Sequence, residues 1–285
     1  FQIWRLKMSN LKLIPGIEDM GIFLAYRDHP NRFFFGPGND ALEDHLTIFH
    51  WQEAHGKVSF EKRFTDTLGL EAYGAVKYTI IGHGEWFAEG KKYSIEEKFG
   101  HEKDIVGERY GEEVYGLEGG FTNYLGLNLF HDSRDDSFEP TRGTYEQISA
   151  EWVDPALGSD YQFLRTTIDM RAYQRFAFLN RGTSYPDNIF LSKFFGAEKN
   201  RVIAARLSAD RIYARKVTFL GEEVYDIPFF EQSFIVDAFT SRGHYWARFF
   251  DRDRIFFNLE YRFKFYKCFD VVLFYDTGRV FSDIM

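Results

Sequence analysis

Glu260 and Asp276 are the two carboxylates whose placement follows most directly from this chain. The segment I-F-F-N-L-E-Y-R-F-K-F-Y runs from Ile255 to Tyr266. Its odd positions carry Ile255, Phe257, Leu259, Tyr261, Phe263 and Phe265, and its even positions carry Asn258, Glu260, Arg262 and Lys264. A strict period of two predicts a strand with one apolar and one charged face. From Asp270 to Gly278, Val271, Leu273 and Tyr275 share one parity, and Asp276 and Gly278 share the other. The segment Tyr266–Asp270 leaves room only for a tight turn, so Glu260 and Asp276 fall on one polar face of consecutive strands. Two carboxylates there favour a guanidinium, whose planar fork can bond a carboxylate through two hydrogen bonds. Arg242, in the long connection Lys216–Arg254, is the natural candidate, and Gly243 beside it would let the backbone turn sharply. On the residues alone, a solvated loop arginine is the commoner arrangement.

Other chemistry finds no support. His131-Asp132 and Asp28-His29 lack the spacing of a metal set, and no H-E-x-x-H or C-x-x-C occurs. No G-x-S-x-G or P-loop is present. The sequence therefore predicts no catalytic residues, no metal, no cofactor and no enzyme. One cysteine, Cys268, rules out a disulfide within the chain and reads as an inert thiol beside a turn. The stretch Asp132–Gly143 reads as a structural hairpin. Asp132 and Asp135 can accept turn hydrogen bonds, Pro140 fixes φ, and Gly143 permits an unusual backbone angle.

The elements that must position these side chains share one pattern. In Phe163–Phe176, Leu164, Ile168, Met170, Ala172 and Phe176 oppose Arg165, Asp169, Arg171, Tyr173 and Arg175. In Val202–Tyr213, Ile203, Ala205, Leu207 and Ala209 oppose Arg206, Ser208 and Asp210, and in Tyr145–Trp152, Ile148, Ala150 and Trp152 oppose Gln147, Ser149 and Glu151. A soluble sandwich buries the apolar face, whereas a transmembrane barrel turns it to lipid and the charged face to a wet lumen. Composition favours the barrel. Aromatic residues make up 19% of the 285 residues, with 33 Phe and 17 Tyr, a load suited to interfacial girdles. Mean hydropathy is −0.37, and no run approaches the roughly 18 apolar residues of a membrane helix. A net charge of −8 argues against a nucleic-acid partner.

Candidate strands lie near Ile22–Arg27, His45–Trp51, Lys57–Arg63, Gly69–Ile80, Gly119–Phe130, Tyr145–Trp152, Phe163–Phe176, Val202–Tyr213, Ile255–Tyr266 and Asp270–Asp276. The expectation is about 10–12 strands. Glu85–Tyr115 is charged and reads as a loop. No repeat, linker or signal peptide is evident. Residues 1–285 are expected to form one barrel domain, cut short at both ends and without a periplasmic recruiting domain. Taking Lys216–Arg254 as an outer loop places Asp154–Asp160 outside, and Asp132–Gly143 and Asn180–Asn200 on the periplasmic side.

Four segments carry a resemblance. G-L-N-L-F-H-D-S-R-D-D-S-F-E-P-T-R-G, Gly126–Gly143, resembles the strand, D-x-R-D hairpin and P-T-x-G turn of the bacterial surface antigen barrel, the BamA/TamA-like outer-membrane assembly family. S-R-G-H-Y, Ser241–Tyr245, resembles that family's R-G-F/Y motif in a loop folded into the lumen. N-L-E-Y-R-F, Asn258–Phe263, resembles the strand after that loop, and V-L-F-Y-D-T-G, Val272–Gly278, the next strand. F-F-G-P-G-N-D, Phe34–Asp40, is a weaker match. The sequence departs from the pattern before Arg242, where I-V-D-A-F-T replaces a glycine pair, and after Gly243, where His244 displaces the aromatic to Tyr245.

The resemblance implies an all-β, antiparallel transmembrane barrel of about sixteen strands, in a bacterial outer membrane. It implies a lumen brace of Arg242, Gly243, Glu260 and Asp276, with Arg262 and Gly278 in the strand motifs and Asp132, Arg134, Asp135, Pro140 and Gly143 in the hairpin. The implied partners are outer-membrane lipid and client β-barrel or secreted proteins, with no nucleic acid. The leading expectation is a barrel that assists insertion or translocation of other proteins. The alternatives are an anchor or exit pore for a separate, enzymatic domain of the same polypeptide, and a passive channel.

Overall fold

A strand with one apolar and one charged face still carries a row of backbone N–H and C=O groups that need a neighbour. In this chain each long strand finds that neighbour in the next one. The computed structural model describes residues 2–9, 11–12, 16–17, 19–84, 87–88, 91–92, 94–99, 114–175, 201–235, 241–242, 247–266 and 269–282. Among these residues ten long strands follow in order: β1 (Gln2–Met8), β2 (Asp19–Phe34), β3 (Thr47–Arg63), β4 (Leu68–His83), β5 (Tyr124–Asp132), β6 (Gly143–Val153), β7 (Phe163–Arg175), β8 (Val202–Ala214), β9 (Asp253–Tyr266) and β10 (Phe269–Phe281). Every strand pairs antiparallel with the next, giving one meandering sheet, and the short strand Gly120–Phe121 adds to β4. The sheet is open, with β1 and β10 at its ends.

Two expected boundaries need correction. His45–Trp51 and Lys57–Arg63 belong to one 17-residue strand, β3. Ala54 and Gly56 stand on its outward face, so the apolar alternation fades in mid-strand while pairing with Tyr26 and Leu24 continues. The expected strand Gly119–Phe130 is interrupted before Tyr124, because the Asn123 side chain accepts from Lys77 N–H and displaces the backbone ladder there. Phe176, Asn180–Asn200 and Cys268 lie outside the described residues.

The sheet curls. The Asn39 side chain, between β2 and β3, donates to the Val280 carbonyl of β10 at 2.6 Å and accepts from its N–H at 3.0 Å. A flat sheet would hold β2 and β10 about 38 Å apart, eight strand spacings. The convex face is apolar and exposed: Leu24, Val76, Leu127, Ile148, Ile168 and Leu259 all lie on it. The concave face buries Glu53, Asp169, Asp210 and Asn258. This is the arrangement of a lipid-facing exterior and a polar lumen. Among the described residues, no helix is long and apolar enough to cross a membrane.

The hydrophobic core is a cap at one end. The connections after β2, β4, β6 and β8 meet there, while 64–67 and 133–142 close the other end. Phe34, Phe49, Phe99, Phe229 and Phe250 pack together with Ile95 and Ala247 in the cap. Part of the aromatic content therefore builds this cap rather than an interfacial girdle. Within the Glu85–Tyr115 region the described residues include a one-turn helix, Ile95–Phe99, that contributes two of these core side chains.

Candidate functional site: the arginine of the lumen loop

β9 and β10 begin the site. Their register pairs Asn258 with Asp276 and Glu260 with Phe274, all on the concave face. The row continues across β8 and β7 through Arg206 and Arg171. The residue opposite Glu260 on β8 is Ala204, whose small side chain leaves room in front of the carboxylate. Asn258 lies five residues into β9 from the cap end, about 17 Å along the strand.

Arg242 reaches this depth from the connection between β8 and β9. Its Nε and Nη2 donate to Asp276 Oδ2 and Oδ1, each at 2.8 Å, in a bidentate pair. Its Nη1 donates to Glu260 Oε1 at 2.9 Å, and its backbone N–H donates to Asp276 Oδ2 at 3.1 Å. The guanidinium also stacks 3.7 Å from the centre of the Phe274 ring, a cation–π contact. The carboxylates have further partners. Asn258 Nδ2 donates to Asp276 Oδ1 at 2.8 Å, and Arg262 donates to Glu260 Oε2 at 2.7 Å. The Asp276 side chain is 3% exposed and that of Arg242 is 32% exposed. The Asp276 hydrogen bond, chiefly, raises the Arg242 guanidinium above its ordinary pKa. This centre carries charge and hydrogen bonds that fasten Arg242 to β9 and β10.

The structure thus brings Arg242, Glu260, Asp276 and Arg262 together. Gly278 lies two residues beyond Asp276. A Cβ there would stand 2.9 Å from Ile235 Cδ1 and from Phe256 Cβ, so the glycine admits the loop against β10. Gly243 lies outside the described residues. The hairpin residues form a separate unit at the opposite end of the sheet. Arg134 bonds Asp132 bidentately at 2.8 Å through Nε and Nη2. Asp135 accepts from the Thr141 and Arg142 N–H groups at 2.8 and 3.1 Å. These bonds, with that of the Thr141 hydroxyl foremost, hold the Asp135 carboxyl well below the usual carboxylate range. Pro140 is buried, and Gly143 has φ +93°, where a side chain would run into the Ser133 carbonyl.

A second anchor of the same loop was not foreseen. Glu231 forms ion pairs with Lys77 of β4 and, at 3.1 Å, with Arg165 of β7, and accepts from Thr122 at 3.3 Å. Burial alone would raise its carboxyl, but Lys77 and Arg165 outweigh burial and hold it below the ordinary value of 4.5. The loop is therefore tied to β4 and β7 at Glu231 and to β9 and β10 at Arg242. Lys77 and Arg165 sit on the polar parity of their strands. Glu231 sits in an aperiodic stretch, so only the wall half of this contact carried a sequence signal. Among the described residues, no group of His, Cys, Asp and Glu could hold a metal ion.

An outwardly apolar antiparallel meander that curls around a charged concave face, with a loop anchored inside it, is the architecture of a transmembrane β-barrel. A model of the Omp85 superfamily domain matches residues 57–201, just over half of the chain, and the chain belongs to that superfamily. Its fold is similar to that of a crystal structure of BamA from Haemophilus ducreyi lacking POTRA domains 1–3, with a TM-score of 0.59 and 13% identity. The alignment covers 97% of this chain and 49% of that one, so the chain spans about half the length of this structural relative. A search of curated proteins finds no match.

Proposed function

We propose that this barrel assists the insertion or translocation of other proteins at the bacterial outer membrane. The observation that carries the reading is a loop anchored inside the lumen: Glu231 pairs with Lys77 of β4 and Arg165 of β7, and Arg242 pairs with Glu260 of β9 and Asp276 of β10. A diffusion barrel keeps a water-filled interior, whereas a barrel that works at its wall gains from a loop that holds the wall in shape. Superfamily membership and the BamA-like fold support the same reading. In this mechanism the unpaired backbone groups of a seam between first and last strands template an incoming client strand. The cap faces outward and the 64–67 and 133–142 turns face the periplasm.

The test is depletion of the protein in its own cells, followed by the folded fraction of other outer-membrane barrels read by heat-modifiable migration. Loss of folded barrels, restored by wild-type protein and poorly by Arg242→Ala, is expected. Unchanged client folding together with a large, steady ion conductance of the purified protein would replace this reading with a passive channel.

A further inference from the structure

The outward face of β2, β3 and β4 is not uniformly convex. Two residue rows cross it at right angles to the strands. One row runs Trp4, Tyr26, Ala54, Tyr78 and Phe121, and the next runs Leu6, Leu24, Gly56 and Val76. Large side chains on β2 and β4 therefore flank the short ones of β3. The result is a groove of about 730 Å³, lined mainly by apolar atoms and open to the exterior. That volume lies within the roughly 300–1,000 Å³ of small-molecule sites. Its walls are Leu24 and Tyr26 on one side and Val76 and Tyr78 on the other, all exposed. They stand about two strand spacings apart, roughly 9.6 Å between backbones.

The groove has a polar end and an apolar end. Immediately toward the cap, Gln52 donates to the Tyr26 hydroxyl at 3.1 Å and to Asp28 at 3.3 Å, and His50 contacts Asp28 at 2.7 Å. These side chains share the outward face with the groove, and polar, hydrogen-bonded groups there mark the level of the membrane interface. Toward the other end, Gly56 is followed by the exposed Val58. A Cβ on Gly56 would meet only Leu24 Cδ2, at 3.4 Å, so the space over this residue is open and not filled by neighbours.

We propose that this groove is a binding slot for one acyl chain of a bilayer lipid, with the lipid headgroup beside Gln52, Asp28 and His50. The proposal rests on the reading of the chain as a membrane-spanning barrel. The occupant follows from the surroundings. Lipid covers this face, the slot runs along the strands as an extended chain does, and its one polar boundary lies where a headgroup lies. Tyr26 and Tyr78 then grip the first methylenes, and Leu24, Gly56 and Val76 the next ones. The slot lies over β3 between β2 and β4, with Trp4 and Leu6 of the terminal strand β1 at its margin.

The experiment uses the full chain in phosphatidylcholine vesicles that carry a photoactivatable diazirine on one acyl chain, with crosslinked peptides mapped by mass spectrometry. Crosslinks are expected several-fold enriched on Leu24–Tyr26, Ala54–Gly56 and Val76–Tyr78 over Leu125–Leu129, which are equally exposed on the same outward face. Gly56→Leu fills the slot and should abolish the enrichment while leaving crosslinks at Leu125–Leu129 unchanged. Ala54→Leu fills it from the neighbouring outward position and serves if Gly56→Leu fails to fold. Equal labelling of both regions in the wild type, or enrichment that survives a folded slot-filling variant, would overturn the slot. Absence of crosslinks from both regions would instead overturn the membrane-spanning reading itself.

Discussion

Removing the Arg242 side chain should loosen the barrel by an amount that its surroundings set. Arg242→Ala keeps the backbone N–H bond to Asp276 but loses the three side-chain bonds to Asp276 and Glu260. Glu260 retains Arg262 as a partner, and Asp276 retains Asn258. An exposed ion pair contributes about 0–1 kcal/mol. Breaking a buried one costs about 3–5 kcal/mol, because a charge is stranded. Asp276 is nearly buried while Arg242 is about one-third exposed, so the loss should fall between these limits, at about 2–3 kcal/mol. A double-mutant cycle with Asp276→Asn isolates the pair. Unfolding by urea in detergent, read by heat-modifiable migration, should give a coupling of about 2 kcal/mol. Arg242→Lys should recover only part of the loss, since an ammonium cannot hold both Asp276 oxygens in one plane. A coupling within about 0.5 kcal/mol of zero would refute the brace, because that is the additivity of residues that do not interact.

The other anchor and the wall glycine make separate predictions. Glu231 has a folded-state pKa below 4.5, so its contribution is complete above that value and is lost as pH falls through the lower, folded pKa. Acid titration of the wild type should therefore release the loop below pH 4.5, seen as faster proteolysis, and Glu231→Gln should release it at neutral pH at a cost of about 3–5 kcal/mol. A loop equally protected in Glu231→Gln at both pH values would remove this anchor. Gly278→Val should push Ile235 away from β10 and raise protease sensitivity between Ser233 and Arg242, whereas Gly126→Ala, which presses only on the Tyr73 ring, should not. Equal sensitivity in the two variants would show that Gly278 does not set the loop's approach.

Most strands were legible because they obey a period of two, and that same period placed Glu260 and Asp276 on one face before any contact was known; β1, Gln2–Met8, was not among the expected strands. The period also exposed its own limit at β3. The outward residues Ala54 and Gly56 carry too little apolar surface to sustain the pattern, and one long strand reads as two. The partner of the carboxylates could be proposed because a guanidinium suits them and because S-R-G-H-Y resembles a known loop. Glu231 could not be found this way. It lies in a loop with no periodicity, and its partners Lys77 and Arg165 are distant in sequence and differ in no visible way from other lumen cations. The cap was hidden for a similar reason: Phe34, Phe99 and Phe229 meet only when the connections after β2, β4 and β8 converge, and composition alone assigns such residues to a lipid interface.

The central claim, that the loop between β8 and β9 is held inside the lumen, has a direct test at Ser241. This residue adjoins Arg242 and is 9% exposed. With Cys268 replaced by serine, Ser241→Cys should react slowly in intact cells with a bulky, membrane-impermeant maleimide, and the addition of Arg242→Ala should speed the reaction markedly. Rapid labelling of Ser241→Cys with Arg242 intact would contradict the account.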